Sequence, residues 1–93
     1  MAWSEWKSIE PEFQTQTLTK SYNFKAYEGG ATFDFEFNFP EKVVGITECS
    51  DNNLQYAGVS SISIIENNKV RVEYNYDSGG QATLQLSLTA IGI

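Results

Sequence analysis

Histidine is absent from this 93-residue chain and cysteine occurs once, at Cys49, so the chemistry open to it is narrow from the outset. Without imidazole there is no Ser-His-Asp or Cys-His nucleophile and none of the common His-containing zinc sites. Cys49 has no base beside it to raise the thiolate, which is the nucleophilic form, so it reads as a buried, inert thiol. One cysteine also excludes an intrachain disulfide and a thiolate metal cage. No glycine-rich loop ends in Lys-Ser or Lys-Thr, and no strand-glycine-helix fingerprint occurs, so nucleotide phosphates have no cradle. The carboxylates are the remaining option. Asp34 and Glu36 lie two residues apart, a spacing compatible with the pair of acids, about 5–10 Å apart, that glycoside hydrolysis needs. Alternating charges are also what the wet face of any soluble strand carries, where they deter edge pairing, and that is the preferred reading. Asp51, Asn52 and Asn53, with Glu48 nearby, could offer oxygens to calcium, but the expected spacing and central glycine are missing. A solvated turn is expected there, and again at Asp77 with Ser78. The expectation is a protein that is not an enzyme, with no catalytic, metal or cofactor residues.

Aromatic side chains are the more informative set, at 14% of residues, because exposed rings suit sugars and subunit interfaces. Phe33, Phe35, Phe37, Phe39, Tyr74 and Tyr76 follow an alternating phase and are expected in the core. Trp3 and Trp6 stand apart, in a polar stretch ahead of Pro11. Residues 1–12 are therefore read as a segment that either caps the core or contacts another subunit. Tyr22, Tyr27 and Tyr56 are further candidate contacts, with packing in local turns as the alternative.

The elements that would position these residues are strands. Over 31–39 the four Phe residues fall on one face, and Thr32, Asp34, Glu36 and Asn38 on the other, as the two-residue period of a strand requires. Residues 69–76 repeat the design with Val70, Val72, Tyr74 and Tyr76. Residues 82–90 do so with Ala82, Leu84, Leu86, Leu88 and Ala90, in a strand long enough to be central. Asn67 and Asn68 predict a tight type I′ hairpin, since Asn tolerates positive φ. Further strands are expected over 13–19, 21–27 and 43–49, with one or two pieces between 54 and 65 and a bend or bulge at Gly58. Seven or eight short strands without a helical stretch indicate a single all-β domain over 1–93, an antiparallel β-sandwich.

Twelve carboxylates against six Lys and Arg give a net charge of −6. Phosphate binding depends on clustered cations, so nucleic acid is not an expected partner. An anionic membrane surface is disfavoured on the same ground, while a cationic partner remains open. No eighteen-residue apolar run predicts membrane insertion, and the polar start carries no signal-peptide pattern. A chain of this length buries roughly 60–65% of its unfolded surface, so a partner subunit would add useful stability.

Several of these features occur together in a known group. An aromatic strand ends in Phe39-Pro40, followed by Lys42-Val43-Val44-Gly45-Ile46 and an Asn-rich loop, then a strand before Asn67-Asn68, and a last strand closing on Leu88-Thr89-Ala90-Ile91-Gly92. Over residues 20–93 this resembles the small β-sandwich domains of phage and prophage tail-fibre or baseplate proteins, and more distantly the H-type lectins. The resemblance implies a virion structural or host-receptor-binding domain, assembled in the bacterial cytoplasm and acting as a homo-oligomer, a trimer by preference. A surface glycan or another virion protein is the implied partner. A monomeric carbohydrate-binding module and an acidic inhibitor or adaptor for a basic host protein are the alternatives.

Overall fold

The computed structural model describes residues 13–93. They form six strands: β1 (Gln14–Phe24), β2 (Gly29–Glu36), β3 (Val43–Ser50), β4 (Ala57–Glu66), β5 (Lys69–Tyr76) and β6 (Ala82–Gly92). These make two three-stranded antiparallel sheets, a first with order β1-β6-β3 and a second with order β2-β5-β4.

The alternation seen in the sequence is the device that joins the sheets. Leu84, Leu86, Leu88 and Ala90 of β6 meet Val70, Val72, Tyr74 and Tyr76 of β5 in one core, flanked by Phe24, Phe33, Phe35, Phe37, Phe39 and Val43. Each buried aliphatic or aromatic side chain contributes about 1.5–3 kcal/mol relative to exposure. The rings are ordered among themselves: Phe24 of the first sheet stacks on Tyr76 of the second at a centroid distance of 4.5 Å. Both central strands, β5 and β6, thus carry alternating runs read from the sequence, while the clearest such run, 31–39, lies on the edge strand β2 and the crossing that follows it.

Among the described residues the strands number six, against the seven or eight expected. The predicted strands 13–19 and 21–27 are a single strand, β1, because Lys20 keeps the alternating phase and nothing between them breaks the ladder to β6. The region between 54 and 65 supplies one strand, β4.

The hairpin between β4 and β5 is present, but its turn is not of the mirror-image type. Positive φ among the described non-glycine residues occurs at Tyr27, Asn53 and Tyr56, not at Asn67 or Asn68. A bulge between Ile64 and Glu66 supplies local twist that a type I′ turn would have given. The Asn pair has a different task. Asn68 Nδ2 donates to the Phe39 carbonyl at 3.1 Å and its Oδ1 accepts from the Phe39 N–H at 3.0 Å. The Asn67 and Asn68 carbonyls accept from the Val43 and Phe37 N–H groups. The turn therefore holds the 37–42 crossing beneath the core. Gly58, expected at a bulge, pairs regularly with Asn75, and the irregularity lies between Val59 and Ser61, where the Ser60 hydroxyl donates to the Glu73 carbonyl at 3.1 Å.

Candidate functional site

Chain direction decides which loops share an end. The connections 25–28, 51–56 and 77–81 all cross between the sheets at one end, while 37–42, the Asn67-Asn68 turn and both ends of the described chain lie at the other. Three crossings in one place make the first end the one with room for variation, and loops on a rigid body are where binding residues concentrate.

Asp51, Asn52 and Asn53 build this end from below. The Asn52 amide continues the β3–β6 ladder where the backbone leaves it, donating to the Thr83 carbonyl at 2.9 Å and accepting from the Gln85 N–H at 3.0 Å. Asp51 accepts from the Tyr74 hydroxyl at 2.8 Å and from the Asn53 N–H at 2.9 Å. Burial, together with the Asp51 carboxylate, pushes the Tyr74 hydroxyl well above its ordinary pKa. These acids and amides hold the loop in shape. Among the described residues no group of three or more His, Cys, Asp or Glu side chains is placed to hold a metal ion.

On that base stand two of the tyrosines singled out in the sequence. Tyr27 and Tyr56 are 78% and 72% exposed, and each occupies the left-handed backbone region, with φ of 55° and 54°. For a bulky side chain this is an uncommon conformation, costing about 1–3 kcal/mol unless its surroundings impose it. They do impose it, through one shared segment. The Tyr27 N–H donates to the Ser78 carbonyl at 2.8 Å, and the Tyr56 carbonyl accepts from the Asp77 N–H at 3.0 Å. Asp77 and Ser78 prolong the central strand β5, so the two tyrosines flank it, Tyr27 on the β2 side and Tyr56 on the β4 side. Two strand spacings put their backbones about 10 Å apart. The Tyr27 ring lies over Gly79, where an added Cβ would stand 2.7 Å from its hydroxyl. The Tyr76 hydroxyl donates to the Gly80 carbonyl and fixes the far side of the loop. Beside Tyr56 a shallow hollow of about 400 Å³ is lined by Ala57, Gly58, Val59, Asn75 and Asp77.

A larger hollow, about 660 Å³, lies at the opposite end between Glu36, Phe37 and the 66–69 turn. Its charged groups are engaged with each other: Lys69 sits 3.5 Å from Glu36 and 3.9 Å from Glu66. The tyrosine end offers open rings and the smaller hollow, and it is the better candidate on chemistry.

The remaining expected positions separate from it. Tyr22 lies on β1, packed edge-on against Phe24 and Phe33 at 4.7 and 5.5 Å, with its hydroxyl donating to the Glu28 carboxylate. It is engaged within the fold. Trp3 and Trp6 lie outside the described residues. Asp34 and Glu36 face cations across the β2–β5 ladder, and Arg71 grips Asp34 through Nε at 2.8 Å and Nη2 at 3.1 Å. That guanidinium holds the Asp34 carboxyl below its ordinary pKa, the opposite of a general acid. Cys49 is half-buried, and loss of water around it pushes its thiol up. Asp77, Ser78 and Gly79 were legible as a turn cluster, but nothing in the sequence signalled that they would join Tyr27 to Tyr56.

No protein-family model matches the chain, and neither a curated protein nor a solved structure matches it.

Proposed function

We propose that this chain is a non-enzymatic recognition domain, a six-stranded β-sandwich of the kind carried by phage tail fibres and baseplates, whose tyrosine end binds a surface glycan. The observation that carries the reading is the pairing of Tyr27 and Tyr56. Two exposed rings sit in an unfavourable backbone region, both fastened to Asp77 and Ser78. Fixed, open aromatic faces receive the apolar side of a sugar, and neighbouring Asp77, Ser78 and Asn75 supply partners for its hydroxyls. The spacing suits a short oligosaccharide better than a single monosaccharide. In this setting the domain is a virion component assembled in the bacterial cytoplasm, and it acts as a homo-oligomer.

The acidic-adaptor alternative draws less support. On the outer face of the second sheet Arg71 pairs with Asp34, Lys69 lies between Glu36 and Glu66, and Glu73 accepts from the Ser61 hydroxyl, so these carboxylates are engaged within the sheet although they outnumber its two cations.

A glycan array probed with the full chain tests the reading. Binding should be lost in both Tyr27→Ala and Tyr56→Ala while the melting temperature stays within a few degrees of wild type. A blank array, or variants that bind as wild type does, would sink it.

A further inference from the structure

The outer face of the second sheet changes character toward the tyrosine end. Along β5 its side chains are Lys69, Arg71, Glu73 and Asn75, and Asp77 continues the series past the strand. Both cations belong to the far half, where Arg71 is gripped by Asp34 and Lys69 lies between Glu36 and Glu66. In the near half Glu73 faces Thr32 and Ser61 on the neighbouring strands, and Asn75 faces Gly30 and Gly58. Glu73, Asn75 and Asp77 are all exposed.

Register explains why space opens here. The Asn75 amide stands between two residues that lack side chains, and hollows form beside it. One is the hollow of about 400 Å³ beside Tyr56, with Asp77 in its wall. A second, about 330 Å³, extends toward β2 and holds Glu28 and Glu73. Asn75 lines both, so they form one path, and no Lys or Arg lines either.

We infer that the glycan bound at the tyrosine end carries free amino groups, which this path selects through Asp77 and Glu73. The inference rests on the recognition reading above and narrows it to one class of sugar.

Charge selects the ligand. Asp77 takes part in none of the ion pairs among the described residues, and it shares its hollow with the Tyr56 ring. An ammonium set beside a carboxylate and within about 6 Å of a ring centroid is held by both. The Glu73 carboxylate accepts from the Ser61 hydroxyl at 2.8 Å, a neutral donor that leaves its charge in place. A uronic acid or a phosphorylated sugar would bring its anion toward three carboxylates with no cation to receive it. A neutral sugar would strip water from Asp77 and Glu73 and return no counter-charge, which costs affinity. A sugar bearing protonated amines supplies that counter-charge, and the Asn75 amide, both donor and acceptor, serves its hydroxyls. A lysine side chain would also satisfy Asp77, but it has no hydroxyls for Asn75 and no ring to lay on Tyr56.

Isothermal titration of the full chain with a glucosamine tetramer and with its N-acetylated counterpart tests the inference, since the two ligands differ only at the amine. The glucosamine tetramer should bind about ten-fold more tightly in dilute buffer, and the margin should shrink at high salt. Asp77→Asn and Glu73→Gln should each cut the margin several-fold with melting temperatures within a few degrees of wild type, and the double variant should remove it. Tyr56→Ala should abolish binding of both tetramers. Equal affinity for the two tetramers, or a margin that survives both substitutions, would overturn the inference and leave the glycan reading standing. A tetralysine peptide bound as tightly as the glucosamine tetramer and indifferent to Tyr56→Ala would overturn it in favour of a basic protein partner. Failure of both tetramers to bind would overturn the amino-sugar class, and the glycan array then separates the two readings: other glycans bound there keep the recognition reading, whereas a blank array removes it as well.

Discussion

The seam between β1 and β2 borders the same core as the seam between β3 and β4, and the two are closed with different materials. At the β1/β2 seam the Gln16 amide clasps the Asn38 backbone from both sides, at 3.0 and 2.9 Å. Lys20 lays its ammonium 5.6 Å from the centroid of the Phe35 ring, and Tyr22 covers Phe33 before reaching Glu28. Its flanking ladders, β1 with β6 and β2 with β5, run without a break. At the β3/β4 seam the ladders carry two irregularities each, and the outermost side chains are aliphatic. A residue that is apolar at its core end and polar at its tip finishes an edge toward water. An edge without such residues leaves apolar surface exposed, as Val59, Ile62 and Ile64 are here.

The contrast is broken most forcefully by deleting packing on each side. Phe35→Ala, at a fully buried ring beside the first seam, should cost about 3–5 kcal/mol in urea unfolding. Ile64→Ala at the second should cost about 1 kcal/mol or less when measured under dilute conditions. Equal losses at the two positions would mean that the second seam is closed within a single chain. A smaller effect is expected from Gln16→Ala, which removes both bonds to Asn38 and should lower stability by about 1 kcal/mol. An unchanged urea midpoint would show that the clasp is decorative.

Each seam also carries a group whose pKa the fold shifts. Backbone and side-chain hydrogen bonds from Lys25 and Tyr22 hold the Glu28 carboxyl below its ordinary pKa. Its folded-state pKa is depressed, so its contribution is present above the unfolded value and is lost as pH falls through the folded one. A urea midpoint followed from pH 6 to pH 3 should drop, and Glu28→Gln should flatten part of that fall. The smallest effect belongs to Cys49, whose folded-state pKa is raised by burial first and by Asp51 second. Its contribution is complete below the unfolded value and declines as pH climbs through the folded one. Cys49→Ala should therefore remove a slight alkaline loss of stability and leave the acid limb untouched.

Much of this comparison was hidden in the sequence, although the core itself was not. The faces of β2, β5 and β6 were legible residue by residue, because strict alternation leaves one solution for which side chains turn inward. All four Phe residues from Phe33 to Phe39 are buried, including the two that lie past the end of β2. Lys20 and Gln16 point to the core side of β1, where a polar residue breaks the pattern, and only their contacts across the sheets explain them. Val59, Ile62 and Ile64 were just as opaque, since bulges shift their phase along β4. The tyrosines were named from their type alone. That Tyr27 and Tyr56 flank Asp77 and Ser78 follows from the order of strands, which no local pattern encodes, while Tyr22, near the same end, is taken up by Phe24, Phe33 and Glu28.

The pairing of β1 with β6 also sets the order in which the chain can fold. Gln14 lies opposite Gly92, and every residue of β1 finds its partner in the last strand. During synthesis β1 therefore waits until β6 has been made. Among the described strands only the β4–β5 hairpin joins neighbours through a short turn, which makes it the natural nucleus, with the first sheet assembling afterwards on the second. Contacts so distant along the chain slow the search, and an early, unpaired β1 would be exposed throughout it.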